Sequence, residues 1–356
     1  DGAAFVPLAT VRDPDYVLTA IAAAIGVREN GDRPFDERLA VLLRDRTLLL
    51  VVDNVEHLPT AALQIAALLA ACPGLTMLAT SRAPLLVSGE RTLDVPPLTL
   101  PPDADDGPTP RPDEVLRAEA VRLFVERAQA VRADFALTET NASAVAAICR
   151  RLDGLPLAIE LAAARVRMLP PHALLGRLSR RLPLLTGGAH DAPGRHRTMR
   201  DAIAWSYDLL ADSERALFRR LSIFAGAFTL ESAEMVAGRG EQGAPDAPLE
   251  TLDGVALLVD KSLLRQEAGP DDEPTFVLLE TIREFGREQL VESGESEAIG
   301  RRHAAWYLRL AERAAPELFG PEQRRWAERL DREHANLRAA LTWLLDQGDA
   351  PRLVRL

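Results

Sequence analysis

Only two cysteines, Cys72 and Cys149, occur in 356 residues. That excludes a disulfide-built scaffold and makes a cytoplasmic setting the expectation. Basic residues are outnumbered, 42 Lys and Arg against 53 Asp and Glu, for a formal charge of -11. Such a balance argues against nonspecific coating of nucleic acid. No apolar run approaches the roughly 18 residues of a spanning helix, so no membrane partner is expected. The glycine-rich patterns GxxxxGKS and GxxxxGKT are absent, so no segment reads as a P-loop cradle for a triphosphate. CxxC and HExxH are absent too, and the six histidines are dispersed. Zinc is not expected. There is no GxSxG, and Cys149 lies on an apolar helical face, a core position rather than a nucleophile.

Apolar residues make up 47% and charged residues 27%, enough to bury sizeable cores in two or more domains. Residues 1–105 alternate apolar strand-like runs (3–10, 47–52, 75–80 and a short 92–95) with helical runs (15–25, 35–43, 59–71). This is the pattern of a parallel α/β sheet with right-handed crossovers. Pro7 suits an edge strand. The run LLLVV at 48–52 reads as a strand covered on both faces. The proline- and aspartate-rich stretch 96–112 is an exposed connection. Residues 113–186 are helical throughout, and the break at 187–197, with Gly187, Gly188, His190 and His196, leads into 198–292. There, helices at 199–209, 213–221, 230–236 and 251–260 precede two β-like pieces and a flanking helix. That outline is winged-helix. Residues 296–356 form amphipathic helix pairs, the start of a helical repeat array.

The chemistry concentrates at Leu48-Leu49-Leu50-Val51-Val52-Asp53-Asn54. A carboxylate ending a buried parallel strand points into the crevice where such sheets bind ligands and is able to hold magnesium through water. The alternative is that Asp53 caps the next turn. Glu56 and His57 follow, suited to polarising a water or meeting phosphate, or simply to a solvent-facing helix start. The next strand ends at Thr80-Ser81-Arg82, putting Arg82 at the edge that carries Asp53, where a guanidinium would sense a terminal phosphate. Gly154 and Pro156 suit a helix C-cap and a helix N1 position, a tight interhelical turn. The basic spot RHRTMR at 195–200 reads as a solvated boundary or a phosphate contact. Arg301, Arg302, Arg324 and Arg325 alternate with acids at helical spacing, as on solvated faces. The third helix of the winged-helix outline, TLDGVALLVD, lacks the donors of a groove reader. This unit reads as a packing and regulatory module.

With LLLVVDNVEH at 48–57, MLATSR at 77–82, GLPLAIELAA at 154–163, RTMRDAIAWSYDLL at 197–210 and LLETIREFGREQL at 278–290, the chain resembles the signal-transduction ATPases with numerous domains. This is the NB-ARC-like class, and the texture is that of its bacterial transcriptional-regulator branch. The resemblance implies a partial P-loop NTPase sheet (1–105), a helical domain (113–186), a winged helix (198–292) and the start of tetratricopeptide-like repeats (296–356). It implies a switch that ADP holds closed and ATP opens, with magnesium as cofactor. Asp53 would organise the magnesium, with Asp53 and Glu56 the catalytic carboxylates. Arg82 would sense the γ-phosphate, and Asn54, Gly154 and Pro156 would line the nucleotide. Asn54 stands where the family has a second acid, which slows hydrolysis. Leu279 and Glu280 stand where the family has histidine and aspartate, so the usual histidine contact to ADP is missing. The missing P-loop marks the chain as an internal piece of a longer protein, with nucleotide binding impaired and a gap expected between neighbouring strands. DNA would be bound by a domain outside the chain, and protein partners or further copies by the helical repeats. The competing expectations are a nucleotide-independent interaction scaffold and a DNA-binding winged helix.

Overall fold

The computed structural model describes residues 2–27, 35–58, 60–102, 111–178, 181–186, 197–238, 251–269 and 273–356. The chain divides into two compact units, Asp1–Asp94 with Asp260–Ser262, and Val95–Val259 with Leu263–Leu356.

In the first unit, β1 (Ala3–Pro7), α1 (Val17–Ala24), α2 (Phe35–Leu43), β2 (Leu48–Asp53), α3 (Ala61–Ala71) and β3 (Leu75–Ala79) alternate along the chain. The sheet is parallel, in the order β1-β2-β3, with Phe5, Val51 and Leu78 in register. Strand order therefore advances in one direction. Right-handed crossovers then put all three helices on one face. That face buries Val6, Leu50 and Val52 against Ile21, Leu39, Leu43, Ile65 and Leu68. The other face carries Phe5, Leu49 and Leu78, which are 58%, 37% and 56% exposed. The apolar run at 48–52 is thus covered on one face, not two, because no crossover in this unit returns on the opposite side. No gap opens between strands either, since β2 pairs directly with both neighbours. Thr92–Val95 forms no strand; Leu93 and Val95 are exposed.

The second unit begins with the helical run α4 (Pro112–Val115), α5 (Glu119–Val131), α6 (Ala142–Arg151), α7 (Pro156–Ala164) and α8 (Pro171–Arg177). The winged-helix elements follow: α9 (Met199–Asp208), α10 (Asp212–Leu221), β4 (Phe228–Thr229), α11 (Leu230–Ala237), α12 (Thr251–Asp260), β5 (Arg265–Ala268), β6 (Pro274–Val277) and α13 (Glu280–Glu292). Their sheet is antiparallel in the order β4-β6-β5. Thr198 and Thr229 cap α9 and α11, accepting hydrogen bonds from the amides of Asp201 and Ser232. The chain ends in α14 (Ser296–Glu317), α15 (Gln323–Arg332), α16 (His334–Asp346) and α17 (Ala350–Arg355). One core runs through all of these, with Phe124, Phe218, Phe224, Tyr307 and Leu344 among its members. Arg301 and Arg324 pair with Glu297 and Glu328 one turn away, and Arg325 with Glu322, as their spacing predicts. Gly187, Gly188, His190, His196 and residues 103–110 of the proline-rich connection lie outside the described residues. Among those described, no helix is long and apolar enough to cross a membrane.

Where the winged helix meets α14 and α16, polar groups are buried. Asn336 is fully buried; its Oδ1 accepts from the amides of Ala225 (2.7 Å) and Gly226 (3.2 Å), and its Nδ2 donates to the Ala227 carbonyl (2.8 Å) and to Glu333 (3.0 Å). The Tyr307 hydroxyl donates to the same Glu333 oxygen at 2.9 Å. His303 packs on Tyr307 and Phe224, with ring centroids 4.6 and 5.5 Å away. Burial pushes its imidazole pKa down from 6.5 to about 3, and the nearby Arg287 pushes the same way. The unfolded chain therefore takes up a proton near pH 6.5 that the folded chain refuses. Stability should accordingly fall by up to about 1.4 kcal/mol per pH unit as pH drops from 6.5 to 5. Urea titrations across that range should show the slope in the wild type and its loss in His303→Gln; an unchanged slope in the variant would assign it elsewhere.

Candidate functional site

Parallel strands deliver their carboxyl ends to one edge, and here β2 and β3 end side by side. Asp53 is the last residue of β2 and shares a face with Leu49 and Val51 by strand alternation. The ladder continues one residue past β3, with the Thr80 amide donating to the Val52 carbonyl (2.9 Å) and the Val55 amide to the Thr80 carbonyl (3.1 Å). This brings the Thr80 hydroxyl to the carboxylate, where it donates to Asp53 Oδ1 at 2.7 Å. The Thr80 hydroxyl oxygen in turn accepts the Asn54 backbone amide at 3.0 Å.

Asn54 has φ +66°, the left-handed conformation that Asn tolerates better than most residues. The kink turns its side chain toward Glu56, and Nδ2 donates to Oε1 at 3.2 Å. The same Glu56 oxygen lies 3.7 Å from Arg82 Nε. His57 points elsewhere, donating from Nε2 to the Val11 carbonyl at 2.7 Å. Asp53, Asn54, Glu56 and Arg82 are thus gathered at one sheet edge. Thr80 joins them as the member that sequence reasoning passed over; its signal was a hydroxyl one residue beyond a strand, two residues before Arg82. Among the described residues, no three His, Cys, Asp or Glu side chains converge on a metal position. Cys72 and Cys149 are buried and unbridged, and burial pushes the Cys149 thiol up to about 12. It is no nucleophile at neutral pH.

Gly154 and Pro156 belong to the second unit. Asp153 and Gly154 both adopt left-handed φ, +54° and +69°, after α6, and Pro156 opens α7. A Cβ on Gly154 would stand 2.4 Å from the Leu98 carbonyl oxygen. The Gly154 carbonyl in turn accepts the Leu98 amide at 3.0 Å. The turn is therefore tight in itself and also clamps the segment after Val95. Asp153 reaches the winged helix as well, accepting the Glu280 amide at 2.8 Å. Glu280 pairs with Arg181 at 2.9 Å and with Arg283. Burial alone would raise the Glu280 carboxyl pKa, but Arg283 and Arg181 outweigh it and hold it below the usual carboxylate range. Glu284 caps the other side, accepting the amides of Arg181 (2.9 Å) and Leu182 (3.3 Å). The first two turns of α13 thus grip both the α6–α7 turn and the segment after α8.

Over 305 residues the chain is 40% identical to the uncharacterized protein Rv0894 of Mycobacterium tuberculosis H37Rv, covering 83% of this chain and 70% of that protein. The chain belongs to the same family as Rv0894. To another protein of that organism, the putative HTH-type transcriptional regulator Rv0890c, the family resemblance runs over 357 residues at 38% identity. It covers all of this chain, which spans 38% of the regulator's length. Residues 210–291 match the family model of a winged helix-turn-helix domain, the region built from α10–α13 and its three-stranded sheet. Among solved structures, a signal-transduction ATPase with numerous domains and a tetratricopeptide-repeat sensor from Pyrococcus horikoshii aligns with 95% of this chain and 46% of its own. Its sequence identity is 15% and its TM-score 0.27, too low to carry an argument.

Gly154→Ala should destabilise the second unit by at least about 2 kcal/mol, from a left-handed side chain and a collision with Leu98. Chemical denaturation followed by circular dichroism measures it; a change below about 0.5 kcal/mol would mean that the 98–154 contact yields freely.

Proposed function

We propose that the chain is the nucleotide-responsive switch of a transcriptional regulator, with a magnesium-bound adenine nucleotide meeting the β2–β3 edge. The observation that carries this reading is the Asp53 carboxylate, held by Thr80 at the end of the central strand, with Arg82 two residues beyond Thr80. In open α/β sheets, ligands bind outside the carboxyl ends of the strands. The donor set suits magnesium of the kind that arrives with phosphate: one carboxylate and a neighbouring hydroxyl, with phosphate and water supplying the remaining oxygens. It does not suit a resident metal cage.

Asp53 would hold the magnesium through water, and the ion would neutralise charge on the phosphates. Thr80 fixes the orientation of the carboxylate by donating to one oxygen. Arg82 would meet the terminal phosphate. Asn54 is an amide and accepts no proton from water, so hydrolysis at this edge would be slow. The amide cradle for the phosphates is not encoded as GxxxxGKS or GxxxxGKT within these 356 residues.

Output runs through the second unit. The Glu280 joint ties the α6–α7 turn to the winged helix, so a displacement of this turn would move α13. The winged helix acts here in packing and transmission: α12 exposes Leu252, Asp253, Ala256 and Asp260, which offer no donor to base edges or phosphate. DNA contact falls to other parts of the regulator, and α14–α17 serve protein partners or self-association.

Calorimetric titration of magnesium–ATP and magnesium–ADP into the full-length protein tests the reading. Asp53→Ala should weaken magnesium-dependent binding at least about tenfold, equivalent to about 1.4 kcal/mol, without unfolding the chain. Equal affinity in wild type and variant would refute it.

A further inference from the structure

Glu56 sits in an unusual position for a surface-edge carboxylate. Its side chain is only 4% exposed, and its Oε2 accepts no hydrogen bond. Everything that holds it converges on Oε1, which takes the Asn54 amide at 3.2 Å and faces Arg82 Nε at 3.7 Å. The Arg82 pairing is one-sided and longer than a hydrogen bond, although guanidinium and carboxylate are able to form two short parallel bonds. A buried carboxylate with an idle oxygen is costly to keep. It is a loose counter-ion, and Arg82, with its side chain 31% exposed, retains access to solvent.

We propose that Glu56 is the resting-state counter-ion of Arg82 and that a terminal phosphate takes Arg82 from it, so that Glu56 sets the preference between nucleoside di- and triphosphates. The proposal rests on the nucleotide reading above. A phosphate group offers several acceptor oxygens and the short charge-assisted geometry that Glu56 does not provide. When Arg82 leaves, the carboxylate keeps the Asn54 amide and is not stranded. This pairing also gives a physical reason for an amide at position 54: an acid there would put a second carboxylate against Glu56, and like charges at that distance resist joint ionisation. A diphosphate that does not extend to Arg82 leaves the pair undisturbed; a triphosphate must break it.

The test is a set of titrations of magnesium–ATP and magnesium–ADP into the full-length protein as wild type, Glu56→Gln, Arg82→Ala and the double variant. Glu56→Gln keeps the shape and the acceptor for Asn54 while removing the charge. It should tighten ATP about tenfold and leave ADP within about twofold, and in the Arg82→Ala background it should change ATP less than about twofold. Glu56→Asp, which retracts the carboxylate by one methylene, should move ATP affinity the same way by a smaller factor, and serves if the glutamine variant does not fold. Equal shifts for both nucleotides, weaker ATP binding, or the same shift without Arg82 would overturn the proposal while leaving nucleotide binding intact. A wild type that binds neither nucleotide would remove the reading beneath it as well.

Discussion

A single hydroxyl joins the ends of β2 and β3. Thr80 donates to the Asp53 carboxylate and accepts the Asn54 amide through the same oxygen, so the strand ends, the left-handed kink at Asn54 and the orientation of the carboxylate are set together. From that kink the Asn54 side chain reaches Glu56, and from Glu56 the charge interaction reaches Arg82. Take away the hydroxyl and the edge has a carboxylate but no fixed direction for it. The right-handed crossovers matter for the same reason: they set α1–α3 on one face and leave the strand ends open at the edge.

The second unit is organised by a different device, charge buried at a joint. Asp153 is held in a left-handed turn, accepts the first amide of α13 and lies near Glu280, whose own charge is balanced by Arg181 and Arg283. Breaking such a cluster would leave uncompensated buried charge, so the joint resists gradual loosening. Farther along, Asn336 fastens the α10–β4 turn to α16, and Glu333 holds Asn336 and Tyr307 together. Helical run, winged helix and C-terminal helices share one continuous core.

Much of this architecture was legible in the residues. Apolar runs located the three strands of the first unit, though not the absence of a strand at 92–95, and helical patterning located nearly every helix. Asp53 and Arg82 were expected at one edge because successive parallel strands put their ends there, and Gly154 and Pro156 at a tight turn from their backbone preferences alone. The rest depends on register and long-range contact. Thr80 meets Asp53 only because Val52 aligns with Ala79; a slip of one residue would send the hydroxyl to the other face. The Glu56–Arg82 pair and the Leu98 clamp on Gly154 join residues that no periodicity connects. β4 has two residues, too few for a pattern, and the apolar run at 48–52 gave no sign of which face would stay open.

Hydrogen–deuterium exchange of the full-length protein, with and without saturating magnesium–ATP, probes the nucleotide edge itself rather than affinity. Slowed exchange concentrated in residues 52–57 and 79–83 is the predicted result, since these carry the carboxylate, the kink, the bridging hydroxyl and Arg82. Protection confined to other segments, or unchanged exchange in these two at saturating nucleotide, would contradict it.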